Sequence, residues 1–166
     1  LNSIGYTRWA VSGDTRYARV ALQLEQDNSL TFMNNFVNQQ NCMVCGSTWP
    51  EDEKVLIPLI NDSSIELKYI IAPHQINGEG IEKLEKQINK TSIRYSKLSE
   101  TEVSSYQVVI IDNIGILTKL YSYANLAYVG GAMGKTGLHN ILEPAAFGVP
   151  IFIGPNHKNF PEAKAL

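Results

Sequence analysis

The chain has 166 residues, 44% of them hydrophobic and 18% charged, with a formal net charge of −2. This suits one globular domain with a buried core, and the weak charge argues against broad nucleic-acid binding. No apolar run approaches the roughly 20 residues needed to span a bilayer, so no transmembrane segment is expected.

The chain opens at Leu1 rather than Met and reads as a fragment of something longer. Asp14 is placed to cap a helix running to about Gln26, with Val20, Ala21 and Leu24 on one face. Arg16, in its first turn, opposes the helix dipole by a few tenths of a kcal/mol. Such a residue either faces an anion or pairs with Asp14 or another acid. Cys42–Gly46 reads as a buried strand. Its two cysteines, Cys42 and Cys45, stand three apart, on opposite faces of a strand, which suits neither a disulfide nor a shared metal. Buried, reduced thiols in a reducing compartment are expected. Ser47 and Thr48 end that strand, where hydroxyls cap a helix or bind a ligand.

Glu51–Ile60 reads as a helix, led by Pro50 and three acids that favour its N-terminus. Leu67–Ala72 is a strand closed by Pro73, and His74 follows at a position better suited to binding than to a core. Asn77–Asn89 is an amphipathic helix with Ile81, Leu84 and Ile88 inward. Polar Ser92–Ser105 reads as a surface connection. A strand at Tyr106–Asp112, a short helix at Gly115–Tyr123 and a strand at Leu126–Val129 follow. A helix starts within Asn140–Glu143, with Pro144 in its first turn, and ends near Gly148. Pro150–Ile153 is the last strand, and Phe160–Leu166 starts a further helix.

Continuously apolar strands separated by helices predict an α/β fold: a Rossmann-like parallel sheet with helices on both faces. Right-handed crossovers put every strand's C-terminal end on one edge, where such folds bind ligands. Gly46–Thr48, Pro73–His74, Asp112–Asn113, Gly130–Gly131 and Gly154–Pro155 all fall there.

The stretch GGAMGKTGLHNILEPAAFGVP, Gly130–Pro150, carries most of the chemistry. Its glycines let backbone approach a ligand, and the helix start that follows favours an anion. Gly134–Lys135–Thr136 mimics the end of a nucleotide P-loop, but Val129 stands where that motif requires its first glycine. Lys135 is thus at most a point charge near a phosphate. The dinucleotide fingerprint is missing, so no nicotinamide cofactor is expected, and no other cofactor. Asn140 and Glu143 fit a helix capping box, and equally a nucleotide cradle in which Glu143 accepts from ribose hydroxyls. The three histidines lack zinc-site spacing, so no metal is expected.

Five blocks in order, GDTRYARV, GSTWPEDE, IIAPHQIN, IDNIGILTKLYSYANLAYVGG and GLHNILEPAAFGVPIFIGPNHKNFPEA, resemble a known family. The chain is similar, from about Val11 to Glu162, to the C-terminal domain of bacterial 3-deoxy-D-manno-octulosonic acid (Kdo) transferases, which are GT-B glycosyltransferases. The resemblance implies that residues 1–166 form a single Rossmann-like donor-binding domain, without the N-terminal acceptor domain and the terminal helices. It implies transfer of Kdo from CMP-Kdo to a lipid A precursor in lipopolysaccharide biosynthesis, at the cytoplasmic side of the bacterial inner membrane.

On that resemblance, Pro73 and His74 would touch CMP. Ile114, Gly115 and Ile116 would line cytosine and ribose. Asn140, Ile141, Leu142 and Glu143 would hold ribose and phosphate. Ser47, Arg16 and Lys135 would serve the donor's charged end. Many relatives carry an acid where this chain has Ile116, so contact there would come from backbone. The general base would lie in the N-terminal domain, so this chain would hold no catalytic residue, bind donor weakly and transfer nothing alone. A UDP-sugar-dependent GT-B transferase, a UDP-sugar 2-epimerase and a noncatalytic nucleotide-binding module remain open as alternatives.

Overall fold

The computed structural model describes residues 2–10, 13–99 and 102–166. Val11, where the family resemblance begins, lies outside them. Among the described residues, two α-helices precede the sheet, α1 (Thr15–Gln23) and α2 (Thr31–Val37). Then come β1 (Cys42–Thr48), α3 (Pro50–Asn61), β2 (Lys68–Pro73), α4 (Gly78–Gln87) and β3 (Ser92–Arg94). The chain continues through β4 (Val108–Ile110), α5 (Leu117–Leu120), β5 (Leu126–Val129), α6 (Leu142–Ala146), β6 (Ile151–Ile153) and α7 (Glu162–Ala165).

The six strands among the described residues pair in parallel, in the order β3-β4-β2-β1-β5-β6. The chain builds outward from β1 to one side and then returns to lay β5 and β6 on the other. β1 and β5 therefore flank the topological switch point, where an open parallel sheet leaves a crevice at its C-terminal edge.

Side chains alternate between two cores. Cys42, Val44, Ile70 and Val109 face α2, which contributes Phe32, Met33 and Phe36. Met43, Cys45, Ile71 and Ile110 face α3 and α4, which contribute Leu56, Ile60, Ile81 and Leu84. Cys42 and Cys45 are thus buried, unbridged and on opposite faces. Burial pushes the Cys42 thiol up to about 12 and raises that of Cys45 as well.

Three elements differ from the sequence expectation. α2 forms where no helix is predicted, because Phe32, Met33 and Phe36 recur at helical spacing and all are buried. β3 lies inside the presumed surface connection; it is an edge strand on β4, and its half-buried residues leave no apolar run to read. α1 is capped by Asp14 as expected, but Ala21 and Leu24 do not turn inward. Leu24 is 52% exposed, and only Val20 is half-buried on that face.

Candidate functional site

The crevice is shaped by how β1 ends. Its register slips at Ser47, which takes a left-handed φ of 53° as a bulge between Gly46 and Thr48. The Thr48 carbonyl then accepts from the His74 amide at 2.9 Å, which fixes the end of β2 beside it. The Thr48 hydroxyl donates to Glu53 at 3.1 Å, and burial raises the Glu53 carboxyl above its ordinary range.

Beneath this rim lies Asp52, fully buried in the first turn of α3. One carboxylate oxygen accepts from the Trp49 amide at 2.9 Å and from the Gly131 amide at 2.8 Å. The other accepts from the Tyr128 hydroxyl at 2.7 Å. This carboxylate fastens the β1–α3 corner to the end of β5 across the switch point. The close approach explains two glycines. A Cβ on Gly130 would stand 2.8 Å from the Asp52 carboxylate, and Gly131 has a φ of 97° that side chains rarely adopt.

Above Asp52 three rings meet. Trp49 and His74 stack with centroids 4.6 Å apart and planes 25° apart. His74 and His139 approach to 4.3 Å. The Trp49 indole N–H donates to His139 Nε2 at 2.9 Å. Burial, then the neighbouring His74, hold His139 below the ordinary histidine range.

A second cluster sits at the start of α6. Glu143 accepts from the Thr118 hydroxyl at 2.9 Å through one oxygen and from the Asn140 amide at 3.1 Å through the other. The Asn140 side-chain oxygen Oδ1 accepts from the Leu142 backbone amide at 3.1 Å. The expected capping box does not form: Ile141 is the N-cap and carries no side-chain cap bond, and Asn140 and Glu143 meet side chain to side chain instead. These groups face Arg16 and Arg19 of α1 across a cleft of about 240 Å³, also lined by Val20 and Gln23. A carboxylate, an amide, a hydroxyl and two guanidiniums suit a ligand that carries both hydroxyls and negative charge.

No family model matches the chain. The Kdo transferase of Chlamydophila psittaci is 37% identical over 142 residues, covering 84% of this chain and 30% of that protein. That of Rickettsia prowazekii is 28% identical over 175 residues, covering 100% of this chain and 36% of that protein. The fold matches the crystal structure of the C-terminal CMP-Kdo binding domain of WaaA from Acinetobacter baumannii, with a TM-score of 0.62 and 27% identity. That match covers 92% of this chain and 77% of the other. The chain is homologous to the C-terminal domain of Kdo transferases. A bifunctional glycosyltransferase/methyltransferase of Fusobacterium nucleatum is also similar, 28% identical over 160 residues, with 96% of this chain and 24% of that protein covered. The chain spans about a third or less of the length of these curated relatives.

Within this Kdo-transferase-like domain the expected site residues divide. His74 joins the rings, with Pro73 half-buried before it, and Asn140 and Glu143 line the cleft beside α1. The side chains of Ile141 and Leu142 are buried, so these two offer a ligand only backbone. Ile114 is 88% exposed at the turn after β4, Gly115 is exposed with it, and Ile116 packs against the core. Lys135 is exposed on the loop after β5, which the Asn156 side chain holds by donating to the Gly134 carbonyl at 2.9 Å.

Arg16 resolves its misfit with the helix dipole through acids. It donates to Asp14 at 2.7 Å and to Glu162 at 2.8 Å, tying α1 to α7. These bonds hold both carboxyls below their ordinary ranges. Arg16 still borders the cleft, but part of its charge is already neutralised. Among the described residues no three metal-ligating side chains come together, and no helix is long and apolar enough to cross a membrane.

Sequence reasoning missed Trp49, Asp52, Thr118 and Arg19. Asp52 has a readable signal: an acid at the third helical position reaches back to the residue before the helix, here Trp49. Thr118 has none, because its partner lies 25 residues away.

Proposed function

We propose that this chain is the donor-binding domain of a glycosyltransferase that moves Kdo from CMP-Kdo to a lipid A precursor in lipopolysaccharide biosynthesis. The observation that carries the reading is the match, in sequence and fold over nearly the whole chain, to a solved domain that binds CMP-Kdo. The cleft agrees with it, since CMP-Kdo offers ribose hydroxyls, a phosphate and a carboxylate. Glu143, held by Thr118 and Asn140, accepts from sugar hydroxyls. Arg19, with what charge Arg16 retains, draws in the anionic groups.

In the full enzyme, cations and N–H groups at this rim stabilise the negative charge that builds on departing CMP, and their fixed placement makes them effective. A general base from the domain facing the crevice takes the acceptor's proton. The parent works at the cytoplasmic face of the inner membrane, where its lipid acceptor lies.

Isothermal titration calorimetry with CMP tests the donor site. Saturable heat is expected with CMP and weaker heat with UMP. Heats no larger than those of buffer would remove the assignment.

A further inference from the structure

We propose that Trp49 is a positioning residue that fixes His139 as a neutral imidazole with its proton on Nδ1. The Trp49 indole N–H only donates, so the 2.9 Å bond to His139 Nε2 requires a lone pair on that nitrogen. A neutral imidazole then carries its proton on Nδ1, the tautomer that free histidine disfavours. Imidazolium has no such lone pair, so protonation of His139 would break the bond.

The surroundings enforce the same state. The Cδ2 edge of His139 packs at the Gly131 backbone, 3.0 Å from where a Cβ on that glycine would stand. With Nε2 on Trp49 and Cδ2 on Gly131, Nδ1 lies on the opposite edge of the ring. Trp49 is itself held, because its amide donates to buried Asp52 and its ring stacks on His74. The titratable groups around His139 are His74, whose ring lies 4.3 Å away, and Asp52, whose carboxylate the Gly131 amide and Tyr128 hydroxyl occupy. A proton on His139 would add positive charge beside His74, and burial opposes it further.

The consequence is chemical. The rim gains a neutral N–H donor whose direction does not depend on pH near neutrality, suited to an oxyanion of the ligand. Which ligand uses it rests on the donor-site reading above. The state of the ring does not.

The test is nitrogen-15 correlation spectroscopy of the histidine rings in the 166-residue chain, with CMP titrated in parallel. His139 is expected as the Nδ1–H tautomer at pH 7. In Trp49→Phe, which keeps the stacking ring and removes the indole N–H, the Nε2–H form is expected to dominate. CMP affinity is expected to fall about five-fold, the effect of one hydrogen bond. An Nε2–H tautomer in the wild-type chain overturns the proposal without need of any variant, as does an unchanged tautomer in Trp49→Phe. A wild-type chain with the Nδ1–H tautomer that binds no CMP overturns the donor-site reading instead and supports this one.

Discussion

Asp52 holds the amide of Gly131 at 2.8 Å across the switch point of the sheet. The two residues come from different halves of the fold, and this bond sets the width of the crevice between them. Replacing Asp52 with Ala strands two N–H donors and one hydroxyl in a buried place. Each such orphan costs about 1–3 kcal/mol. Urea unfolding is expected to show a loss of about 3–5 kcal/mol for Asp52→Ala and a smaller loss for Asp52→Asn, which keeps one acceptor. A loss below about 1 kcal/mol would mean the clamp does not carry the fold.

Glu143 presents a carboxylate already shaped by Thr118 and Asn140. Hydrogen bonds to a charged group contribute about 1.5–3 kcal/mol. Glu143→Ala is therefore expected to weaken CMP at least ten-fold in the chain, and to raise the Michaelis constant for CMP-Kdo or lower turnover comparably in an intact enzyme. Thr118→Val is expected to weaken CMP several-fold, with Thr118→Ser restoring it. Unchanged affinity in a folded Glu143→Ala would show that the carboxylate only braces Thr118 and Asn140.

The Arg16–Glu162 pair makes stability depend on acid. Hydrogen bonding to Arg16 holds the Glu162 carboxyl below its ordinary value of 4.5. The unfolded chain then binds a proton before the folded chain does. The stabilisation is complete above the unfolded value and is lost as pH falls through the folded one. Thermal melts of Arg16→Met are expected to lie below the wild type at pH 7 and to converge on it as pH drops below 4. Parallel melting curves across that range would contradict this.

Gly131→Ala asks whether the glycine-rich loop must come this close. With a φ of 97°, the new side chain also runs into the Gly137 carbonyl. The backbone alone costs about 1–3 kcal/mol. The variant is expected to melt lower and to lose CMP binding, because the same loop carries His139 over the rim. A variant with wild-type stability and wild-type calorimetric affinity would show that the approach has no functional weight.

Much of the frame was legible because it is local. Strands β1, β2 and β5 are runs of apolar residues, and Asp14 caps its helix as short-range chemistry predicts. β3 was not legible, since an edge strand with half-buried residues has no periodic signal. The site followed the same division. His74, Asn140 and Glu143 sit at strand and helix ends that can be read directly. Thr118, Asp52 and Trp49 gain their roles from partners 25, 79 and 90 residues away.

By itself the sequence determined the parallel α/β sheet, the edge at which the strand ends converge, the separation of the two cysteines and the kinship with Kdo transferases. Burial periodicity and cap chemistry act within a few residues, and kinship is carried by blocks of consecutive ones. Only the tertiary structure decided that Arg16 would also be taken up by Glu162, that Asp52 would bridge the switch point, and that an indole would dictate a histidine's proton. Those outcomes depend on which groups meet in space, and crossover geometry brings them together from distant parts of the chain.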